Sequence, residues 1–309
     1  MSELHGKKIS VVITHYDRLF LLIRAVDSAL AQGPLVGEII VVDDCSPTLT
    51  EADILSALPK STLLRVLKLE RNAGSQNARS VGVRASRFGI IALLDSDDEW
   101  LPTKLFYQVE YMRRGSYDLC ATAFYKCFGS EDLVCERSIP YRGSGTEYLL
   151  KQGGHLQTST MLMTRELAES IGFPKEVRKF QDWDFLIRSE LSGFRIGYLS
   201  DRLSVYHFGH GGQMTGCPDS KAVREFLSRL AHELHPRIYF FALSRTLART
   251  EIESGRITDG FRTYFSACVA HRFFDPIGLL KLVRKSLIAL NGNVRRRTRQ
   301  FISLRKNPQ

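Results

Sequence analysis

The sequence is poor in the features that mark secreted, zinc-binding and membrane-spanning proteins. Its six cysteines form no Cys-x-x-Cys pair and no zinc-ligand spacing, which predicts free thiols in a reducing compartment. No apolar run reaches the roughly 18 residues of a transmembrane helix, and residues 1–8 are polar, without the apolar core of a secretion signal. We therefore expect a cytoplasmic protein.

Acidic residues become scarce towards the end of the chain, and this asymmetry divides the sequence. Residues 1–220 carry a net charge of −2, whereas residues 221–309 carry +12. The chain has 309 residues, 44% of them hydrophobic, which is enough for one α/β domain and an appendage. We expect the α/β domain over residues 1–220 and a basic, mainly helical extension over residues 221–309.

The extension contains the pattern of a basic amphipathic helix. Lys281, Arg284 and Lys285 recur at helical spacing. Opposite them on that helix we expect Leu279, Leu280, Val283, Leu287 and Leu290. Such a segment suits peripheral binding to an anionic membrane surface, attracted by about 1 kcal/mol per nearby basic residue. Two alternatives stay open: a helix packed on the α/β domain with a solvated positive face, and a disordered tail around residues 295–299.

Two apolar runs of the predicted domain end in acidic residues. Residues 90–94 and residues 39–42 each indicate a strand buried on both faces. The acids that follow them are Asp95, Asp97, Asp98, Asp43 and Asp44. Ligands bind at the carboxyl ends of parallel strands, and an all-oxygen cluster suits Mg²⁺ or Mn²⁺. The pattern predicts a metal–diphosphate site, with an acidic helix-capping turn as the structural alternative.

A third apolar run opens the domain. Residues 9–13 precede a helical pattern through Leu22, Val26 and Leu30, which indicates a strand–helix–strand unit. We expect the polar exit of this strand to hold a base and ribose, with Tyr16 stacked on the base; half-buried packing is the alternative.

Five motifs occur in a fixed order along the chain. They lie at residues 11–18, 41–46, 72–82, 94–98 and 181–184. In that order, the first two resemble the first strand with a Thr-Tyr-Asn-Arg-like exit and the base-binding Asp-Asp-x-Ser of glycosyltransferase family 2. The other three resemble the Asn-x-Gly helix start, the Asp-x-Asp metal motif and the Glu-Asp-x-Asp segment of the same family. The resemblance covers residues 7–215 and implies the GT-A fold, an α/β fold with a mainly parallel Rossmann-like sheet flanked by helices. It also implies an inverting, nucleotide-sugar-dependent enzyme.

The resemblance implies a ligand for each motif. The implied nucleotide-sugar contacts are Thr14, Tyr16, Arg18, Asp43, Asp44, Asn72, Gly74, Arg79, Asp95 and Ser96. Asp43 would accept the imide proton of the base, and Arg79 would lie near the phosphates. Asp97 and Asp98 would hold Mg²⁺ or Mn²⁺ on the diphosphate, and His210 from a downstream glycine-rich loop would ligate the metal or bind a phosphate oxygen.

The last motif is implied to hold the general base. Asp182 would deprotonate an acceptor hydroxyl for a single displacement with inversion. Asp184 would point roughly 200° away on a helix and would be structural. The alternative for Asp182 is a helix N-cap. Gln181 replaces the Glu that the family often carries, and His207 replaces an expected Arg.

The implied partners are a nucleotide-diphosphate sugar, UDP-linked, and a glycan or lipid-linked acceptor. The polar residues 157–159, on a predicted strand, would lie near the acceptor, with the solvated face of that strand as the alternative. Two other functions would account for part of the pattern. A sugar nucleotidyltransferase would need a Gly-x-Gly-x-x-Gly-x-Arg loop, which residues 9–18 lack. A nonenzymatic basic protein does not explain the acidic strand ends, which would repel phosphate; we therefore expect no nucleic acid partner.

Overall fold

The computed structural model describes residues 8–128, 133–134, 139, 141–177, 179–208 and 218–305, with side chains up to residue 290. The chain divides into two compact units, Met1–Gln213 and Met214–Gln309. The first unit contains the sheet, and the second is helical.

The strands of the first unit are β1 (Ile9–His15), β2 (Val36–Asp43), β3 (Leu64–Lys68), β4 (Ile90–Asp95), β5 (Glu99–Trp100), β6 (Leu119–Phe128), β7 (Leu133–Val134), β8 (Leu162–Thr164) and β9 (Ile196–Phe208). They form one sheet in the order β3-β2-β1-β4-β8-β6-β9-β5, with β7 paired to β6. The first four strands are parallel, as predicted. Beyond β4 the sheet is mixed, because β8 pairs antiparallel with both β4 and β6.

The helices of the first unit are α1 (Leu19–Leu30), α2 (Glu51–Ala57), α3 (Ser75–Ala85), α4 (Lys104–Gly115), α5 (Gly145–Glu147), α6 (Arg165–Ile171) and α7 (Gln181–Leu191). A 3₁₀ turn spans Gly33–Leu35, a π turn follows α5 over Tyr148–Gln152, and a second 3₁₀ turn spans Thr158–Thr160. The predicted α/β class is therefore confirmed.

Burial explains why the first strands of the sheet contain long apolar runs. All of β1 is buried, and β2 and β4 are buried except for Gly37 and the terminal Asp95. Helix α3 packs very closely on β1, because a Cβ added at Gly82 would lie 2.3 Å from Cγ1 of Val12. A larger residue at Gly82 would therefore push α3 away from the sheet.

The second unit consists of α8 (Ser220–Leu230), α9 (Pro236–Phe241), α10 (Ala248–Glu253), α11 (Ile257–His271) and α12 (Pro276–Arg305), with a π turn over Ala242–Leu247 between α9 and α10. The predicted helical extension is confirmed. Its buried cluster contains Ala248, Ile252, Tyr264 and Leu282. Among the described residues, no helix combines the length and the apolar character needed to cross a membrane.

Candidate functional site

The polar residues predicted at the strand ends lie along one edge of the parallel part of the sheet. The register aligns Thr14 of β1 with Asp95 of β4, and His15 of β1 with Asp43 of β2. The hydroxyl of Thr14 donates to Oδ1 of Asp95 over 3.1 Å. The next residue, Ser96, is buried, and its N–H donates to the carbonyl of Thr14 over 3.2 Å.

Asp43 is fully buried and held in its ionised form. Its Oδ1 lies 2.8 Å from Nδ1 of His15, whose Nε2 accepts the N–H of Arg18 over 3.1 Å, which assigns the ring proton to Nδ1. The hydroxyl of Ser46 also donates to Asp43, and its N–H does so over 2.9 Å. Burial alone would raise the pKa of Asp43, but the hydrogen bonds from His15 and Ser46 outweigh it and lower the pKa to about 2.

His15 was not among the predicted site residues. The only sequence signal for it is a polar side chain at a buried strand end, directly before the predicted Tyr16. Tyr16 itself is 45% exposed, so its ring is open to a ligand, and its stacking on a base stays a prediction. Contact between Asp43 and a base also stays a prediction, because both carboxylate oxygens already accept protein hydrogen bonds.

Asp44 fixes the loop that leads into α3. Its two oxygens accept the N–H groups of Ala73, over 2.9 Å, and Gly74, over 2.8 Å. Gly74 has φ +87°, a conformation that favours glycine. Asn72, which precedes this pair, is exposed. Asp44 and Gly74 therefore act together to set the start of α3.

Arg79 joins the strand ends to α7. It is 5% exposed; its Nη2 donates to Oδ1 of Asp95 over 2.6 Å and its Nη1 to Oε1 of Gln181 over 2.7 Å. Gln181 thus supplies a neutral acceptor to the guanidinium, where a Glu was expected from the resemblance. Arg79 therefore brings the acidic edge and the start of α7 together.

Asp182 lies inside the first turn of α7 and is not its N-cap. The N-cap is Phe180, in the left-handed conformation with φ 58° and without a capping side chain. Asp182 is partly exposed, and its Oδ1 accepts the N–H of Trp183 over 2.9 Å. Burial raises its pKa to about 7, against the lowering effects of that N–H and of the positive charge of Arg79. Such a carboxylate can accept a proton near neutral pH.

Asp184 has different surroundings in the same turn. It is buried, and its Oδ2 accepts from Nε of Arg188 over 2.7 Å. Arg188 also donates to the carbonyls of Ile171 and Gly172. Asp184 thereby links α7 to the end of α6, the kind of structural contact that the sequence predicted for one member of the pair.

The predicted metal ligands differ in their accessibility. Arg18 donates from Nη1 to Oδ2 of Asp97 over 2.8 Å. Asp98 is buried, and its carboxylate accepts the hydroxyl of Ser159 over 2.5 Å and the N–H of His207 over 3.4 Å. Burial, and then the charges of Asp97 and Asp95, raise the pKa of Asp98 well above its usual value.

The carboxylates suit Mg²⁺ or Mn²⁺ chemically, but they do not complete a metal centre. Within the part of the chain that the structure describes, no three His, Cys, Asp or Glu side chains are grouped to hold a metal ion. His210, the third predicted ligand, lies outside the described residues. The metal therefore stays a prediction from the sequence.

Ser159 contributes in a way that the sequence did not indicate. It was expected near the acceptor, but it is buried on the 3₁₀ turn Thr158–Thr160. Its hydroxyl accepts the N–H of Asp95 over 3.1 Å while donating to Asp98, and its carbonyl accepts from Nε1 of Trp100 over 2.7 Å. Ser159 therefore positions both ends of the acidic motif from the turn that leads into β8, the strand next to β4.

His207, which stands where an Arg was expected, pairs with an acid of the neighbouring strand. Its Nε2 lies 3.1 Å from Oε1 of Glu99, next to the pairing of β5 with β9. The hydrogen bond from His207 lowers the pKa of Glu99. This contact helps to fix β5, the strand that directly follows the acidic motif.

Comparisons with known proteins give the family and the fold. The family model described as Glycosyl transferase family 2 matches residues 10–172. The succinoglycan biosynthesis protein ExoO of Rhizobium meliloti is 39% identical over 102 residues, which are 33% of this chain and 29% of that protein. The amylovoran biosynthesis glycosyltransferase AmsB of Erwinia amylovora is 28% identical over 207 residues, 64% of this chain and 69% of that protein.

Solved structures extend the similarity beyond the matched region. Residues 1–349 of S. aureus TarS, solved in complex with UDP-GlcNAc, align with a TM-score of 0.59 at 20% identity. The alignment covers 85% of this chain and 80% of that one. At this identity the likeness establishes the fold.

Proposed function

Because the chain belongs to glycosyl transferase family 2, we propose that it moves a sugar from a UDP-linked donor to the hydroxyl of a glycan or lipid-linked acceptor. TarS, which shares the fold, has been solved with UDP and with UDP-GlcNAc, and this supports the uridine donor. The names of ExoO and AmsB support an acceptor from polysaccharide biosynthesis.

The observation that carries the proposal is the pair of contacts made by Arg79. One guanidinium nitrogen is 2.6 Å from Asp95 and another is 2.7 Å from Gln181, the residue before Asp182. The acidic strand ends and the candidate base therefore meet at one cation. A donor diphosphate carries negative charge, so Arg79 and Arg18 supply the cations that would bind and orient it at this edge.

In the proposed reaction, Asp182 acts as the general base. It takes the proton from the acceptor hydroxyl while the oxygen attacks the anomeric carbon, and the bond to the diphosphate breaks on the opposite face. In a single displacement with inversion the carboxylate acts as a base and not as a nucleophile. Asp184 does not serve as the general base, because its carboxylate accepts a hydrogen bond from Arg188, which also contacts the end of α6.

Mg²⁺ or Mn²⁺, when bound, would act as a Lewis acid on the leaving diphosphate. Asp97 is the acid we propose as its ligand from this chain, since Asp98 is buried against Ser159.

The donor class is tested by incubating the full-length protein with UDP-, GDP- and TDP-sugars and following thermal unfolding. We expect UDP-sugars to raise the melting temperature and the matched GDP- and TDP-sugars to raise it less. With a donor and an acceptor identified, NMR of the product should show the opposite anomeric configuration to that of the donor. A protein that none of the nucleotide sugars stabilises, or a product with retained configuration, would overturn the proposal.

A further inference from the structure

We propose that α12 carries a docking surface for an anionic lipid bilayer, on the side turned away from its own helical unit. This surface, the outer face of α12, consists of Ile277, Leu280, Lys281, Arg284, Leu287 and Ile288. The inference does not depend on which sugar or acceptor the protein uses.

The inner contacts of α12 fix how the helix is rotated. Leu282 and Ser286 are buried, and Leu282 belongs to the cluster formed with Ala248, Ile252 and Tyr264. Leu279 packs against the same cluster from the next turn. This inner side is already occupied and cannot dock a partner.

The opposite side of the helix is apolar as well. At 100° per residue, residues 277, 280, 287 and 288 lie on the side away from Leu282 and Ser286. Their exposed fractions are 62% for Ile277, 71% for Leu280, 57% for Leu287 and 57% for Ile288. Single exposed apolar residues are ordinary on a soluble protein, but several along one helix face mark an interaction surface.

Basic residues share this outer face with the apolar ones. Lys281 and Arg284 are exposed there, whereas Lys285 is turned towards α10 and donates to Glu253 over 2.5 Å. The sequence predicted these basic residues opposite a row of leucines, and the structure adds which leucines are covered: Leu279 packs on the inner cluster, whereas Leu280 and Leu287 are exposed on either side of the position of Arg284. The long stems of Lys and Arg let their charges reach lipid headgroups while neighbouring leucines enter the acyl boundary.

Charge selects a bilayer over a second copy of the chain. Residues 221–309 carry a net charge of +12, and from Pro276 to Gln309 there are nine Lys or Arg and no acid. Two copies meeting through this face would bring like charges together, which is unfavourable. An anionic lipid surface is complementary to the basic residues and also receives the apolar side chains.

The test is sedimentation of the full-length protein with vesicles of neutral phosphatidylcholine, and of phosphatidylcholine mixed with phosphatidylglycerol. We expect binding to the mixed vesicles only, and weaker binding at high salt, because the screening length falls from about 10 Å at 0.1 M to about 3 Å at 1 M. Replacing Lys281→Gln and Arg284→Gln should weaken binding by roughly 30-fold. Leu280→Asp with Leu287→Asp should remove it.

Matched controls come from exposed positions of the first unit. Leu55→Asp in α2 and Arg114→Gln in α4 change exposed side chains of the same types and should bind as the wild type does. If the Asp pair lowers the melting temperature, Leu280→Ser with Leu287→Ser replaces it.

Three outcomes would overturn the inference. They are failure of the wild type to bind phosphatidylglycerol vesicles, equal binding to neutral vesicles, and a dimer in light scattering that the leucine variants dissociate without any vesicle binding. The last outcome would assign the outer face of α12 to a second copy of the chain. Because the vesicle assay needs no substrate, it fails or succeeds separately from the proposed transfer reaction.

Discussion

Asp182 and Asp184 occupy one helical turn but meet different surroundings. Asp182 is partly exposed beside Arg79 and Asp95, with a pKa raised to about 7. Asp184 is buried, with one oxygen held by Nε of Arg188 at 2.7 Å. The first environment suits proton transfer near neutral pH, and the second suits the packing of α6 against α7.

Replacing Asp182→Asn should reduce turnover by about 10²–10⁴-fold, because the amide cannot take a proton from the acceptor. The affinity for the donor, measured by isothermal titration with a UDP-sugar, should change little. The matched control is Asp184→Asn, which should lower the melting temperature, since it removes the charge that Arg188 pairs with. An active Asp182→Asn protein together with an inactive but folded Asp184→Asn protein would reverse the assignment.

The raised pKa of Asp182 gives two pH effects of known sign. The base must be ionised, so kcat/KM should rise as the pH increases through about 7. Folding also favours the protonated form, because the folded pKa is above the usual value of 3.8. The stability that this proton contributes is complete below about pH 4 and is lost as the pH rises through about 7. The Asn side chain of Asp182→Asn cannot ionise. The melting temperature of this variant should therefore rise relative to that of the wild type across this pH range.

The measurements are a pH–rate profile and thermal melts of both proteins from pH 4 to pH 8, the range set by these two pKa values. A rate that stays constant across neutral pH, or a variant whose relative stability falls as the pH rises, would count against Asp182 as the base.

At the scale of elements, the 3₁₀ turn Thr158–Thr160 positions the acidic end of β4 from the start of the neighbouring strand β8. Ser159 on this turn contacts the N–H of Asp95, at the end of β4, and the carboxylate of Asp98, before β5. Nε1 of Trp100 in β5 donates to the carbonyl of the same residue. The geometry of the acidic motif therefore depends on a segment that lies some sixty residues further along the chain.

Ser159→Ala should lower stability by about 1–3 kcal/mol, because the half-buried N–H of Asp95 and the buried carboxyl group of Asp98 each lose a partner. The released acidic motif should also weaken UDP-sugar binding. The control is Thr122→Val in β6, where the buried hydroxyl has no hydrogen-bond partner among the described residues and its loss should be neutral or stabilising. Urea titrations and donor titrations of the two variants measure both effects. Equal losses in the two variants would indicate that Ser159 contributes only packing.

At the scale of the whole molecule, ligand binding is measured as a gain in global stability. A ligand at 100 times its dissociation constant stabilises the folded state by about 2.7 kcal/mol. Two sources of positive charge would bind a diphosphate at the acidic edge. One is the pair of guanidinium groups of Arg18 and Arg79, and the other is the predicted divalent ion. Thermal melts can separate their contributions.

We expect UDP to raise the melting temperature more with Mn²⁺ than with EDTA, because a divalent ion shared by carboxylate and diphosphate removes repulsion between them. Asp97→Asn should lose the increment that depends on Mn²⁺ and keep its circular dichroism spectrum. The same UDP stabilisation in EDTA as in Mn²⁺ would mean that the two arginines suffice and that the metal prediction is wrong.

The sequence by itself determined the parallel core, the acidic strand ends and the family. Residues 39–42 of β2 and 90–94 of β4 are apolar throughout, and acidic residues follow where each of these strands leaves the core. These signals are local, since burial and strand termination act on consecutive residues. The position of Asp182 and Asp184 within one helical turn is a local signal of the same kind.

Only the tertiary structure decided which of these side chains touch. The contacts of His15 with Asp43, of Arg79 with Gln181 and of Ser159 with Asp98 join residues far apart in the chain. The rotation of α12 was likewise decided by its packing on α10 and α11, which turned Leu280 and Lys281 outwards together. Such contacts depend on the order of strands and the docking of helices, and the periodicity of a single segment contains no information about its partners.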